Sequence, residues 1–141
     1  MQSQLEPGLR HSQIMTIDAS LTVPSVSSKF SASFGDMPEV FATGLMIAFI
    51  EAACIEAMRP FLSEGQRSVG TQVNVTHQAA TPIGMTVTAE VEVTEVEKRT
   101  VRFNVLCRDD VDVISTGTHE RAIIDLERFQ SRVEAKAASV G

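Results

Sequence analysis

An α+β domain, with a curved antiparallel sheet wrapped around one long central helix, is what this sequence predicts, on three observations. Residues 40–55 read VFATGLMIAFIEAACI, with Thr43 and Glu51 their only polar side chains, and a helix apolar on nearly every side belongs in a core. After Gly65 the pattern changes to strict alternation and holds it to the end of the strand region, the mark of strands with one buried and one wet face. Finally, a sheet of that length needs an apolar cover, and 40–55 is the single long apolar segment available to supply it.

The elements follow in order. Residues 1–10, MQSQLEPGLR, read as a loose tail without the apolar run of a signal peptide. A first strand is predicted over 11–23, where Ile14 and Thr16 alternate with Met15 and Ile17. Pro24 and the serines from Ser25 to Ser33 make a loop, with Asp36, Pro38 and Glu39 arranged to cap a helical turn. The main helix is predicted from Thr43 to Met58, stopped by Pro60 and the 63–65 turn. A strand over 72–79 follows. Then Met85, Val87, Ala89, Val91 and Val93 alternate with Thr86, Thr88, Glu90, Glu92 and Thr94, and Val101, Phe103, Val105 and Cys107 with Arg102, Asn104, Leu106 and Arg108. Turns are predicted at 81–84, 97–99 and 109–110, a last strand over 111–125, and a polar helix or tail over 126–141. Four strands in meander around one helix are the hot-dog arrangement, here a single domain over 1–141.

Composition excludes several function classes. A net charge of −6 argues against a nucleic-acid partner, which needs clustered Lys and Arg. The apolar helix is shorter than the ~20 residues of a membrane span and contains a carboxylate. Cys54 and Cys107 lie among apolar neighbours and read as free buried thiols of a reduced compartment, so the expected location is cytoplasmic. Glycine-rich phosphate loops, nucleophile elbows and metal-ligand spacings are all missing from the sequence, so no metal is expected.

The candidate chemistry centres on Glu51. A buried charge is costly unless paired or used. Thr43, eight residues earlier, sits at the helix start, where unsatisfied N–H groups suit a developing oxyanion. The bland alternative makes Thr43 an N-cap and Glu51 a residue on a wetted helix edge. On the predicted strand, His77 shares a face with Val73, Val75 and Ala79, which points it toward the helix and toward Glu51. A Glu–His pair satisfies both groups and brings a pKa toward neutrality. His119 and His11 read as supports of the sheet, and Glu56 as an i,i+3 partner of Arg59. The Phe41/Phe49/Phe61 and Met46/Met58 sets fit either plain core packing or an acyl lining.

With these residues in view, the chain resembles the fluoroacetyl-CoA thioesterase family of hot-dog enzymes. The resemblance lies in PEVFATG at 38–44, EAAC at 51–54 leading to Ala57 and Met58, VTHQAATP at 75–82 and GTHERA at 117–122. Together these blocks run in family order over about residues 34–129. The resemblance implies a hot-dog fold, at least a homodimer, and hydrolysis of an acyl-CoA thioester at the subunit interface. It assigns the catalytic set to Thr43, Glu51 and His77, and substrate contacts to Gly70 and Arg121. The family member specific for fluoroacetyl-CoA carries a phenylalanine lid where this chain has Met37, with Phe34 nearby. Thioester hydrolysis is therefore implied, and selectivity for a fluorinated acyl group is not.

The reading that results is a thioester hydrolase in which Glu51 is base or nucleophile, His77 orients it, and Thr43 helps to hold the oxyanion. Coenzyme A enters as part of the substrate, with Arg121 or Arg99 near its phosphates, and no resident cofactor is expected. Two rivals remain: a non-catalytic acyl-CoA-binding hot-dog module, and an enoyl-CoA hydratase, for which no Asp/His motif is present.

Overall fold

In a computed structural model describing residues 4–141, five antiparallel strands curl around helix α1 (Thr43–Met58). The strands are β1 (Arg10–Thr16), β2 (Gln66–Val75), β3 (Thr86–Glu97), β4 (Thr100–Arg108) and β5 (Val113–Asp125), and helix α2 (Leu126–Ala138) follows β5 directly. The order across the sheet is β1-β3-β4-β5-β2.

That order departs from a four-strand meander. Only β3, β4 and β5 run as neighbours in sequence; β1 takes the free edge of β3, and β2 is left to pair with β5 at the far edge. Crossing from β2 to β3 therefore takes the chain over the mouth of the sheet, past the start of α1. Val40 bridges to Pro82 and the Phe41 N–H donates to the Thr81 carbonyl at 2.9 Å, so the crossing segment and the entry to α1 are laced together.

The core forms as the alternation predicts. Val87, Ala89, Val91 and Val93 of β3, with Val101, Phe103, Val105 and Cys107 of β4, are buried against Met46, Phe49, Ile50, Ala53, Cys54 and Met58 of α1. The opposite sheet face is polar and ion-paired: Arg108 meets Glu90 at 2.7 Å, and Arg102 meets Glu120 at 2.6 Å and Glu95 at 3.1 Å. One ridge of α1, Thr43–Ile47–Glu51–Ile55 at i,i+4 spacing, is left uncovered or half covered.

Three local expectations change. The 1–10 tail is not loose where it is described: Leu5 and Leu9 pack against the core, and the Gly8 N–H donates to the Val93 carbonyl. The first strand ends at Thr16, because the Asp18 side chain caps a 3-10 turn at Ala19–Leu21 and Pro24 lies in a second turn. The cap in the following loop is Ser31, which accepts from the Ser33 N–H, rather than Asp36 or Glu39.

Candidate active site

Thr43 is the first residue of α1, and the N-cap position is Ala42, which has no side chain able to cap. The threonine hydroxyl is thus not tied to the helix backbone. It lies 2.7 Å from His77 Nδ1, close to the first-turn amides and the positive end of the helix dipole.

His77 arrives there on the face that alternation predicts, in line with Val75 and Ala79, which pack against the core. A bulge between Gly70 and Gln72 shifts the register of β2, so that Gly70 and Val73, opposite Arg121 and His119, both lie on the inner face. Val73 lines the cavity beside Glu51 and is 42% exposed there, and regular strand ends at Val75. The Thr76 and Gln78 N–H groups still donate to the Thr116 and Ile114 carbonyls of β5, and His77 between them meets the start of α1. Burial pulls its pKa below the ordinary imidazole value, opposed by a backbone hydrogen bond at Ala79.

Glu51 belongs to a second group, two helical turns or ~12 Å further along α1. Its Oε2 accepts from Arg121 Nη1 at 2.9 Å and lies 4.0 Å from His119 Nε2. Arg121 is 3% exposed. Its remaining bonds go to the Ser68 hydroxyl and carbonyl, both at 2.9 Å, and to His119 Nε2 at 3.2 Å. His119 Nδ1 is 2.8 Å from the Gln72 carbonyl; a carbonyl only accepts, so Nδ1 carries the proton and Nε2 is free to accept from Arg121. Burial, aided by the Arg121 charge and opposed by the Gln72 bond, keeps this imidazole below its ordinary pKa and so neutral.

Gly70 is where the carboxylate fits. A Cβ there would stand 2.5 Å from Glu51 Oε2 and 3.3 Å from His119 Cε1, so any side chain would displace the acid. A cavity of about 240 Å³ opens beside Glu51, lined also by Ile47, Gly70, Val73 and His119. A larger one, about 630 Å³, lies on the β1–β3–β4 side among Arg10, His11, Glu90 and Glu92, and contains none of these groups.

Among the residues singled out from sequence, the structure brings Thr43 to His77, and Glu51 to Arg121 and Gly70. It does not bring Glu51 to His77 within one chain, and Glu56 makes no ion pair with Arg59. Phe34 is half-buried and edge-on to Phe30, with ring centroids 6.4 Å apart, while Met37 is 47% exposed; neither lines the cavity beside Glu51. Arg99 is held by Asp125 at 3.4 Å. His119 and Ser68 are the members that sequence reasoning missed. For His119 the available signal was its i,i+2 relation to Arg121, which puts both on one face of β5.

A family profile described as fluoroacetyl-CoA-specific thioesterase matches residues 24–127. The fluoroacetyl-CoA thioesterase of Streptantibioticus cattleyicolor is 50% identical over 106 residues, covering 75% of this chain and 76% of that one. A solved structure of the fluoroacetyl-CoA thioesterase FlK superposes with a TM-score of 0.90 at 43% identity, over 94% of this chain and 97% of the other. A thioesterase-superfamily protein of Thermus thermophilus, 21% identical, superposes at 0.83 over 98% and 99% of the two chains, a likeness of fold.

Proposed function

This chain belongs to the fluoroacetyl-CoA-specific thioesterase family, and from that premise we propose that it hydrolyses an acyl-CoA with a short or modest acyl group at a site completed by two copies of the chain. It is a thioester hydrolase of hot-dog fold. The observation that carries the two-copy reading is the separation of the Thr43–His77 pair from the Glu51–Arg121 pair by two turns of α1.

Groups ~12 Å apart cannot act on one carbonyl. Both lie on the uncovered ridge of α1 beside the edge strand β2, whose outer edge has no partner among the described residues. Apposing two such ridges about a twofold axis sets Glu51 of a second copy against Thr43 and His77 of the first. In that arrangement the first amides of α1 hold the thioester oxygen as charge develops on it, while the Thr43 hydroxyl, donating to His77, lines the same pocket. His77, neutral and with Nδ1 at the threonine hydroxyl, orients that hydroxyl and relays a proton to the departing thiol. Glu51 attacks, or activates water to attack, the carbonyl carbon. Arg121, Ser68 and neutral His119 hold the carboxylate in place, with Gly70 leaving room for it. Arg121 thus acts on Glu51 and not on a phosphate, since its donors all face protein atoms.

Phe34 and Met37 precede the α1 entry and form the proposed cover of the acyl group; Met37 at the lid position suits a broader range of acyl groups than an aromatic would. The proposed compartment is the cytoplasm, where the two free cysteines stay reduced. Among the described residues no helix is long and apolar enough to cross a membrane.

The test is a panel of acetyl-, fluoroacetyl-, branched and aromatic acyl-CoAs, with freed CoA read by a thiol-reactive dye. Turnover on at least one short acyl-CoA is the expected result. Saturable binding of these esters without thiol release would replace the hydrolase with a binding module.

A further inference from the structure

We propose that Ser115 of β5 is a positioning residue for His77: its hydroxyl accepts the Nε2 proton, directly or across one water, and so keeps Nδ1 bare to accept from the Thr43 hydroxyl. The inference rests on the acyl-CoA reading above and adds a third member to its Thr43–His77 pair.

Two buried atoms carry it. Among the described residues, His77 Nε2 and Ser115 Oγ are the buried side-chain polar atoms without a hydrogen-bond partner. Buried polar groups are nearly always paired, so each exception asks for a reason. The backbone at Ala79 acts on the His77 ring and leaves Nε2 unmet.

Register sets the two side by side. Strand β2 pairs with β5 as far as Val75 opposite Gly117, and the pairing runs on past the regular strand. The Thr76 N–H donates to the Thr116 carbonyl at 3.0 Å, and the Gln78 N–H to the Ile114 carbonyl at 2.8 Å. His77, between those two bonds, stands opposite Ser115. It is a pair of the non-hydrogen-bonded kind, in which facing side chains come closest, with Cβ atoms roughly 4.5–5.5 Å apart. Both side chains lie on the inner face. Ser115 is fully buried and opposite Cys107 of β4, and His77 is in line with Val75 and Ala79 of the core. The neighbouring Thr76 hydroxyl is already engaged by Gln78 and by the Thr116 backbone.

The chemistry of the ring supplies the consequence. A 2.7 Å contact with Thr43 fits either neutral tautomer of His77. With the proton on Nδ1, the ring only donates to Thr43 and cannot take its proton. With the proton on Nε2, Nδ1 accepts from Thr43, but an N–H is then buried on the side away from it. An unmet buried donor is costly, and the Ser115 oxygen removes that cost. The same bond strengthens when Nδ1 takes up a proton, because the donor is then charged.

The experiment reads the ring nitrogens of the full chain by 15N-histidine spectra above about pH 7, with His77→Ala to identify the His77 set. The parent should carry its proton on Nε2 and leave Nδ1 bare. Ser115→Ala should move the proton toward Nδ1 and lower kcat about tenfold or more, with KM changed less than about twofold. Ser115→Thr, which keeps the hydroxyl, should hold the parental pattern and a kcat within about threefold of the parent. His119, whose Nδ1 proton is fixed by the Gln72 carbonyl, should be unchanged in both variants. A parental proton on Nδ1, an unaltered His77 pattern in Ser115→Ala, the same loss in Ser115→Thr, or a His119 pattern that moves with His77 would overturn the assignment. The spectra need no turnover. A parent that shows the pattern and its dependence on Ser115, yet releases no thiol from any acyl-CoA of the panel, would overturn the hydrolase reading and leave this bond standing.

Discussion

Glu51 is accessible on one side and braced on the other, and its exchange for glutamine separates those two properties. Glu51→Gln keeps the volume and one hydrogen-bond acceptor for Arg121 but removes the basicity, so kcat should fall by roughly 10²–10⁴ with little change in KM. Stopped or continuous thiol release would show it, and parental turnover in that variant would exclude Glu51 as base or nucleophile. The two imidazoles, His119 buried and His77 half-buried, make a separate claim about pH. His77 and His119 both lie below the ordinary value of 6.5, burial being the larger cause in each. Unfolded, each takes up a proton near pH 6.5; folded, each resists it. Their contribution to stability is therefore complete above about pH 6.5 and is lost as pH falls from there through the folded pKa values. Urea midpoints should be flat between pH 7 and 8 and decline toward pH 5. Asp109 adds a later acid loss: burial raises its pKa, but the hydrogen bonds from Asp112, Val111 and Thr81 outweigh that and hold it below 3.8. The rate should follow the same sense, since protonated His77 cannot accept from the Thr43 hydroxyl.

Elements differ in how openly the sequence declares them, and the differences are physical. Helix α1 is legible to the residue, Thr43 to Met58, because an apolar run ended by Pro60 has few alternatives. The same holds for β3 and β4, whose alternation is the core itself. Strand β2 is legible only in part: its bulge at Gly70–Gln72 is not declared by the sequence, yet Val75, His77 and Ala79 keep the inward face that their spacing suggests, and what the spacing does not say is that His77 meets Thr43 and not Glu51. Partner choice between strands is hidden too, since alternation says which face is buried and nothing about which edge is joined. The spacing points His77 to the helix and pairs it with Glu51, whereas the structure pairs it with Thr43, and the brace of His119 and Ser68 becomes visible only with the sheet order. One turn carries a cost that the sequence hints at only by its charge. Lys98, between β3 and β4, has φ of 57°, a region costing a side-chain-bearing residue roughly 1–2 kcal/mol. Lys98→Gly relieves that at the expense of a more flexible unfolded chain, so a net gain of roughly 0.5–1 kcal/mol is expected. A lower denaturation midpoint for Lys98→Gly would mean that the lysine is held by contacts worth more than the strain.

At the scale of the whole molecule, the polar, ion-paired outer face of the sheet and the bare ridge of α1 point the two sides of the chain in opposite directions: one to water, the other, in the proposed assembly, to a second copy. If each site takes Thr43 and His77 from one chain and Glu51 from another, then two different inactive variants should rescue each other. A Glu51→Gln chain mixed with a His77→Ala chain and allowed to exchange forms hybrid dimers in which one site carries both lesions and the other carries neither. An equal mixture should recover roughly a quarter of the parental activity at full exchange, half the dimers being hybrids with one intact site each. Sites built within single chains would give no recovery, because every chain in the mixture holds a lesion. The assay background is low for a structural reason: Cys54 and Cys107 are buried, and burial pushes both thiols up to about 12, out of reach of a thiol dye while the fold is intact. Recovery that grows with exchange time, and vanishes when either variant is omitted, would fix the two-copy site; no recovery after demonstrated exchange would return Glu51 and His77 to separate tasks within one subunit.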